Sequence, residues 1–248
     1  MPAPFTPASL KFLRALKRNN DREWFSAHKP AYESDLKQPL LALIAQLNES
    51  ILAFAPQHVR PPQKIIMRIY RDTRFSHDKT PYKKHVAAWW AHDGMEKTSG
   101  GGFYFHFGPT EVVIAAGVYM PDRDQLLAIR RHIAEHHLRF RKLLADKKLR
   151  AVLSERETLK LTRAPKGFPP DHPAIDLLLH RQWGFGTTLP AEAALSPTLA
   201  AQIIDRFRAA APIVAFLNEP LITNRGPQRM NLFTGADRTR RKPLFGLD

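Results

Sequence analysis

Residues 103–120 read FYFHFGPTEVVIAAGVYM, and their reading decides the fold. Aromatic and β-branched residues dominate Phe103 to Phe107 and Glu111 to Met120, the composition of half-buried strands. Gly108-Pro109 between them suits a tight connection, so the spacing predicts an antiparallel hairpin. Working outward, HVAAWWA at 85–91 and KIIMRIY at 64–70 have the same composition and predict two earlier strands. RQWGFGTTL at 181–189 predicts another extended stretch, and 158–162 a shorter one.

Helical signals surround this block. Thr6-Pro7 opens a helix with Leu10, Leu13 and Leu16 on one face, closed by Asn19-Asn20. Asn20 with Glu23 three residues on predicts a capping box for a second short helix. From Pro30, Tyr32, Leu36, Leu40, Leu43, Leu47, Ile51 and Phe54 recur at helical steps, and Pro39 predicts a kink. Pro121-Asp122 starts a helix that runs toward residue 150 with a break at His136-His137, Pro173 starts one reaching Leu179, and Ser196-Pro197 starts one carrying Leu199, Ile203 and Phe207. Helices before, between and after a mainly antiparallel sheet make the fold class α+β, with a helical N-terminal portion and a single domain over residues 1–217. From Asn218 periodicity is lost and Arg225, Arg229, Arg238, Arg240, Arg241 and Lys242 gather, which predicts a basic C-terminal tail over 218–248.

Composition narrows the function classes. At 248 residues and 44% hydrophobic the chain is long enough to bury a sizeable core. Zero cysteines exclude disulfides, thiolate metal sites and Cys nucleophiles, and fit a reducing compartment. The opening MPAPFTPASLKFL lacks the apolar core of a signal peptide and no apolar run approaches a membrane span, so a cytoplasmic protein with no membrane partner is expected. A net charge of +15 sets up a field that draws nucleic acid, acidic metabolites or anionic membranes, or else serves solubility alone.

Charge is densest in RIYRDTRFSHDKTPYKKH, residues 68–85. Arg68, Arg71, Arg74, Lys79 and Lys83 stand there among Asp72, Asp78, Ser76 and Tyr82. Guanidinium groups grip planar oxyanions with two donors, lysines add point charges, and the hydroxyls of Ser76, Thr80 or Tyr82 complete a phosphate or carboxylate cradle. The equally weighted alternative is a salt-bridge network in which Asp72 and Asp78 pin the arginines and hold a long loop in shape.

On these residues the chain resembles the domain of unknown function 2461 family, conserved hypothetical proteins with an RD-x-RFS-x-DK-x-PYK signature. The matching positions are Arg71-Asp72, Arg74-Phe75-Ser76, Asp78-Lys79 and Pro81-Tyr82-Lys83. NNDREWF with HK soon after (Asn19 to Lys29), the G-x-Y-x-P element from Gly117 to Pro121 and PKGF-x-x-DHP from Pro165 to Pro173 also resemble the family, so the likeness covers residues 5 to about 217. The resemblance implies a fold boundary and directs attention to the signature; it implies no activity, substrate or cofactor.

Other signals are weaker. His132, Glu135 and His136 spell H-x-x-E-H, a zinc-peptidase pattern that lacks a third ligand, since Glu192 and Glu219 downstream stand on no convincing metal-facing helix; no metal and no cofactor are expected. Gly100-Gly101-Gly102 precedes a strand without a following Lys-Thr or Lys-Ser, so it reads as a flexible turn and not a phosphate loop. Tyr104 and His106 are two apart on a strand and share a face, and if the signature loop folds over that face they line one pocket with Arg68. A lone strand histidine is ordinarily a hydrogen-bonded wall residue. The alternating aromatics are read as core and not as a base-stacking platform. The leading expectation is therefore binding or turnover of a small anionic ligand at residues 68–83, with Tyr82 or His106 handling protons. The alternatives are nucleic-acid association through the same basic segment, helix 122–150 and the tail, or a purely structural signature. No catalytic residue and no oligomeric state follow from the sequence.

Overall fold

The computed structural model describes residues 2–74, 76–95, 99–155 and 160–223. The chain begins with α1 (Pro7–Arg18), where Pro7 occupies a first-turn position that needs no N–H partner and Leu10, Leu13 and Leu16 face the core. In α2 (Arg22–Ala27) the cap is Asp21 and not Asn20: the Asp21 carboxylate accepts from Trp24 N at 2.8 Å, which frees Asn20 for a different partner.

The long helix predicted from Pro30 is α3 (Lys29–Tyr32), a π-helical turn (Glu33–Lys37) and α4 (Gln38–Ile51). Pro39 is accommodated by this turn, in which Gln38 N reaches back five residues to Glu33 O. Because Pro39 has no N–H, the carbonyl of Asp35 lacks its helical donor, and the buried Ser9 hydroxyl donates to it at 2.6 Å. The proline's defect thus becomes the joint between α1 and the long helix.

Residues 64–70 form no strand. Pro62 starts a single helical turn, α5 (Pro62–Ile65), after which Ile66 makes an isolated bridge to Ala88 and Tyr70 one to Tyr82. β-branched composition supplied the signal, but the segment meets its own returning chain instead of a continuous neighbour. The strands are β1 (Val86–Ala91), β2 (Gly101–Phe107) and β3 (Glu111–Val118), with Gly108 N bonded to Glu111 O at 2.8 Å across the predicted hairpin. Gly101 and Gly102 belong to β2 and not to a turn, and Gly102 is required because a Cβ there would lie 2.8 Å from the Trp89 ring.

Then come α6 (Arg123–Glu135), α7 (His137–Leu144) and α8 (Lys147–Val152), with the expected break at His136, followed by a two-residue strand β4 (Ser154–Glu155). Of the short strand expected at 158–162, residues 158 and 159 lie outside the described residues and Lys160 makes one bridge to His180. α9 (Ile175–Leu178) is shorter than predicted, β5 (Trp183–Pro190) is extended as predicted, and α10 (Leu199–Thr223) closes the described chain. The helix passes through Asn218, six residues into the stretch read as tail; residues 224–248, with the arginines expected to form that tail, lie outside the described residues.

All strands pair antiparallel in the order β1-β2-β3-β5-β4, so the fold is α+β. Strand alternation sorts the side chains: Trp90, Phe103, Phe105, Phe107, Ile114 and Phe185 join the main core with α1, α4 and α10, whereas Ala87, Trp89, Ala91, Tyr104 and Val113 form a second cluster on the opposite face with Met67 against it. The aromatics are core, as read. Among the described residues no helix is long and apolar enough to cross a membrane.

Beside the main core, His58 is buried with Nδ1 3.0 Å from Trp90 O, and burial pushes its pKa down from 6.5 to about 4. A histidine neutral in the fold but protonated when unfolded contributes stability above about pH 6.5 that is lost as pH falls toward 4. Urea unfolding of wild type and His58→Gln should therefore show the wild type losing about 3 kcal/mol more than the variant over that range. Equal pH slopes would overturn this account of His58.

Candidate functional site

The signature loop leaves α5 and returns into β1, tied at both sides by main-chain bonds from Arg71 N to Pro81 O (2.9 Å) and Lys83 N to Ile69 O (2.8 Å). Inside it Arg71 is the hub. Its Nη1 donates to Asp78 Oδ2 and to the Thr80 hydroxyl, and Nη2 lies 3.4 Å from the Ser76 hydroxyl. Asp78 also accepts from Thr80 N at 2.8 Å, and this backbone bond, then the Arg71 guanidinium, hold its carboxyl well below the usual range. Asp72 and Arg74 form a fork: Nε and Nη2 of Arg74 reach the two carboxylate oxygens at 2.9 and 2.7 Å, which lowers the Asp72 pKa to about 2. Lys79 Nζ donates to Thr73 O at 3.0 Å. Two of the expected anion contacts, Arg71 and Arg74, thus hold the loop's own acids, while Arg68 is exposed with its charge acting on Asp72. Phe75 lies outside the described residues.

The N-terminal helices grip this loop. The Asn20 side chain donates to Tyr82 O (2.9 Å) and accepts from Tyr82 N (3.0 Å), a two-pronged amide clamp in place of the predicted cap. Phe25 stacks on the Tyr82 ring at 4.0 Å, and burial raises the Tyr82 pKa, so its hydroxyl stays protonated. Tyr82 is a wall of the loop.

The loop's last residue reaches the sheet. β1–β2 register sets Ala87 opposite His106, so His85, two positions before Ala87, falls on the same face and stacks on His106 with ring centres 4.6 Å apart. His106 is buried between two further groups: Nδ1 is 3.1 Å from the Tyr104 hydroxyl, and Nε2 is 3.6 Å from Glu111 Oε1. Burial, then the Lys83 charge, push the His85 pKa down to about 4. Tyr104 and His106 therefore meet as their spacing predicted; among the described residues Arg68 makes no hydrogen bond to either. Sequence reading passed over His85 and Glu111. His85 carried a signal, since it ends the charged segment; Glu111 carried none, because its place beside His106 depends on the hairpin register.

The model of the family described as conserved hypothetical protein (DUF2461) matches residues 8–216. The chain belongs to that family. No curated protein and no solved structure matches the chain. The DUF2461 match takes in the signature loop, the Asn20 clamp and Gly117, and ends in α10 just before Asn218.

Of the H-x-x-E-H residues, His132 and Glu135 on α6 line a cleft of about 540 Å³ with Asp124, Arg131 and Glu219, and His136 is not part of its lining. Glu219, one of the glutamates weighed as a third ligand, is taken by Arg139 at 2.5 and 2.7 Å and by His132 Nε2 at 3.1 Å. Glu192, the other, pairs with Arg14 at 2.8 Å. Among the described residues no group of three or more His, Cys, Asp or Glu is placed to hold a metal ion.

Proposed function

We propose that the protein binds a small phosphate- or carboxylate-bearing molecule where the signature loop meets the second face of the sheet. The observation that carries this reading is the His85–His106 stack, which joins the charged loop to the buried row of Tyr104, His106 and Glu111. Arg68, Lys79 and Lys83 supply the positive field, while Arg71 and Arg74, tied to Asp78 and Asp72, shape the loop. When the Tyr104 O–H donates to Nδ1 of His106, Nε2 carries the ring proton toward the Glu111 carboxylate; a second proton then reaches His106 only at Nδ1, passed on by the Tyr104 hydroxyl as that oxygen takes one from the ligand, and Glu111 stabilises the resulting imidazolium. His106 is accordingly the proton-handling group of this reading and Tyr82 is not. The absence of cysteine supports a cytoplasmic setting.

Thermal unfolding against a panel of phosphorylated and carboxylated metabolites tests it. One such anion near 100 times its Kd should raise Tm by about 5 °C or more, with the shift lost in Lys83→Ala and His106→Gln although both variants still fold. No shift with any anion would sink the reading. A second reading, nucleic-acid association, draws support from Lys142, Lys147, Lys148 and Arg150 on α7 and α8, exposed or partly so and without an ion pair among the described residues. It would show instead as an oligonucleotide shift erased by salt.

A further inference from the structure

A buried charge stands at the other end of the sheet. Arg130 on α6 is 7% exposed, the only Arg, Lys, Asp or Glu among the described residues in the buried set. Its Nη2 donates to His180 O at 2.9 Å, and its Nε has no acceptor among the described residues. Nor does any described carboxylate pair with it: Glu219 and Asp176 are held by Arg139 and Arg141. A guanidinium does not deprotonate in a protein, and taking one out of water is unfavourable unless an opposite charge or a full set of acceptors offsets it. A single carbonyl does neither.

The surroundings add positive charge. Arg181 follows His180 directly in the chain and is exposed, and its field acts on Arg130. Lys160 is brought alongside by its bridge to His180 and is also exposed. Arg130 thus bonds the His180 carbonyl, Arg181 follows His180 in the chain and Lys160 bridges to it through the backbone, and none of the three makes an ion pair among the described residues. Like charges are held together against repulsion most readily when an anion sits between them, and an arginine fork with a lysine matches a tetrahedral, doubly charged oxyanion.

We propose that Arg130, Arg181 and Lys160 form a binding site for a phosphate group. It is separate from the signature-loop site: Arg181 leads into Trp183, which pairs with Val118 at one end of β3, whereas Glu111 beside His106 is at the other. Free phosphate and the phosphate of a monoester would bind through the same contacts.

The test is Tm of the full chain in inorganic phosphate and in glycerol phosphate, each against chloride at matched ionic strength. Wild type should gain ~3 °C or more in at least one of them. Arg181→Ala, an exposed position where the fold should persist, should abolish the gain, as should Arg130→Met if it folds. Lys83→Ala should keep it. A gain with the monoester alone identifies a phosphorylated metabolite, and an equal gain with both identifies the phosphate group itself. A gain that survives Arg181→Ala but disappears in Lys83→Ala overturns this site and supports the one at the signature loop. No gain in wild type, or one retained by every variant, overturns it as well.

Discussion

Gly117→Ala should lower the unfolding free energy by about 4 kcal/mol or more, because it combines backbone strain with a steric collision. Gly117 opens the G-x-Y-x-P element at a φ of 122°, which L side chains rarely adopt, and an added Cβ would stand 2.1 Å from Trp183 O on the adjacent strand. Neither term relaxes easily. Relieving the contact means moving β3 from β5, and these two strands are paired over their whole length from Glu111–Pro190 to Val118–Trp183. Gly94→Ala is the control, since Gly94 also has a positive φ of 76° but nothing among the described residues within 4 Å of a new Cβ; it should cost only ~1 kcal/mol. Urea unfolding of the two variants separates conformational strain from collision, and equal losses would mean that the close approach of β3 and β5 does not constrain Gly117.

Asn218→Ala should cost about 3 kcal/mol, since it strands a buried N–H and a buried C=O together. Among the described residues β1 ends opposite Gly102, and the Asn218 amide pairs with Gly101 as a further strand residue would: Oδ1 accepts from Gly101 N at 2.6 Å and Nδ2 donates to Gly101 O at 3.1 Å. For a chain of this length the loss should appear as a Tm lower by about 8 °C. Ending the chain at residue 217 should do at least as much harm. A truncated protein with wild-type Tm would show that the helical domain ends where the sequence pattern weakens.

Gly117 and Asn218 mark the limits of sequence reading in this chain. Gly117 was visible as part of the G-x-Y-x-P element, but the reason for a glycine came only with the neighbouring carbonyl. Asn218 carried no local signal, because a polar residue near the end of an apolar stripe looks like the start of a tail. The signature was legible as a charged loop, yet Arg71 and Asp78 are seven residues apart and no periodicity pairs them; the path of the loop does.

By itself the sequence determined the α+β class, the β2–β3 hairpin, the extended stretch at β5, most helices and the location of the charged loop, because these depend on composition and spacing within a few residues. The tertiary structure alone decided which strand candidates found partners, so that 64–70 left the sheet. It also decided that Asn20 clamps Tyr82, that His85 meets His106, and that Arg130 is buried without an acid among the described residues. Each of these depends on how residues distant in the chain are placed by strand register and burial, and neither quantity is encoded in any short window of sequence.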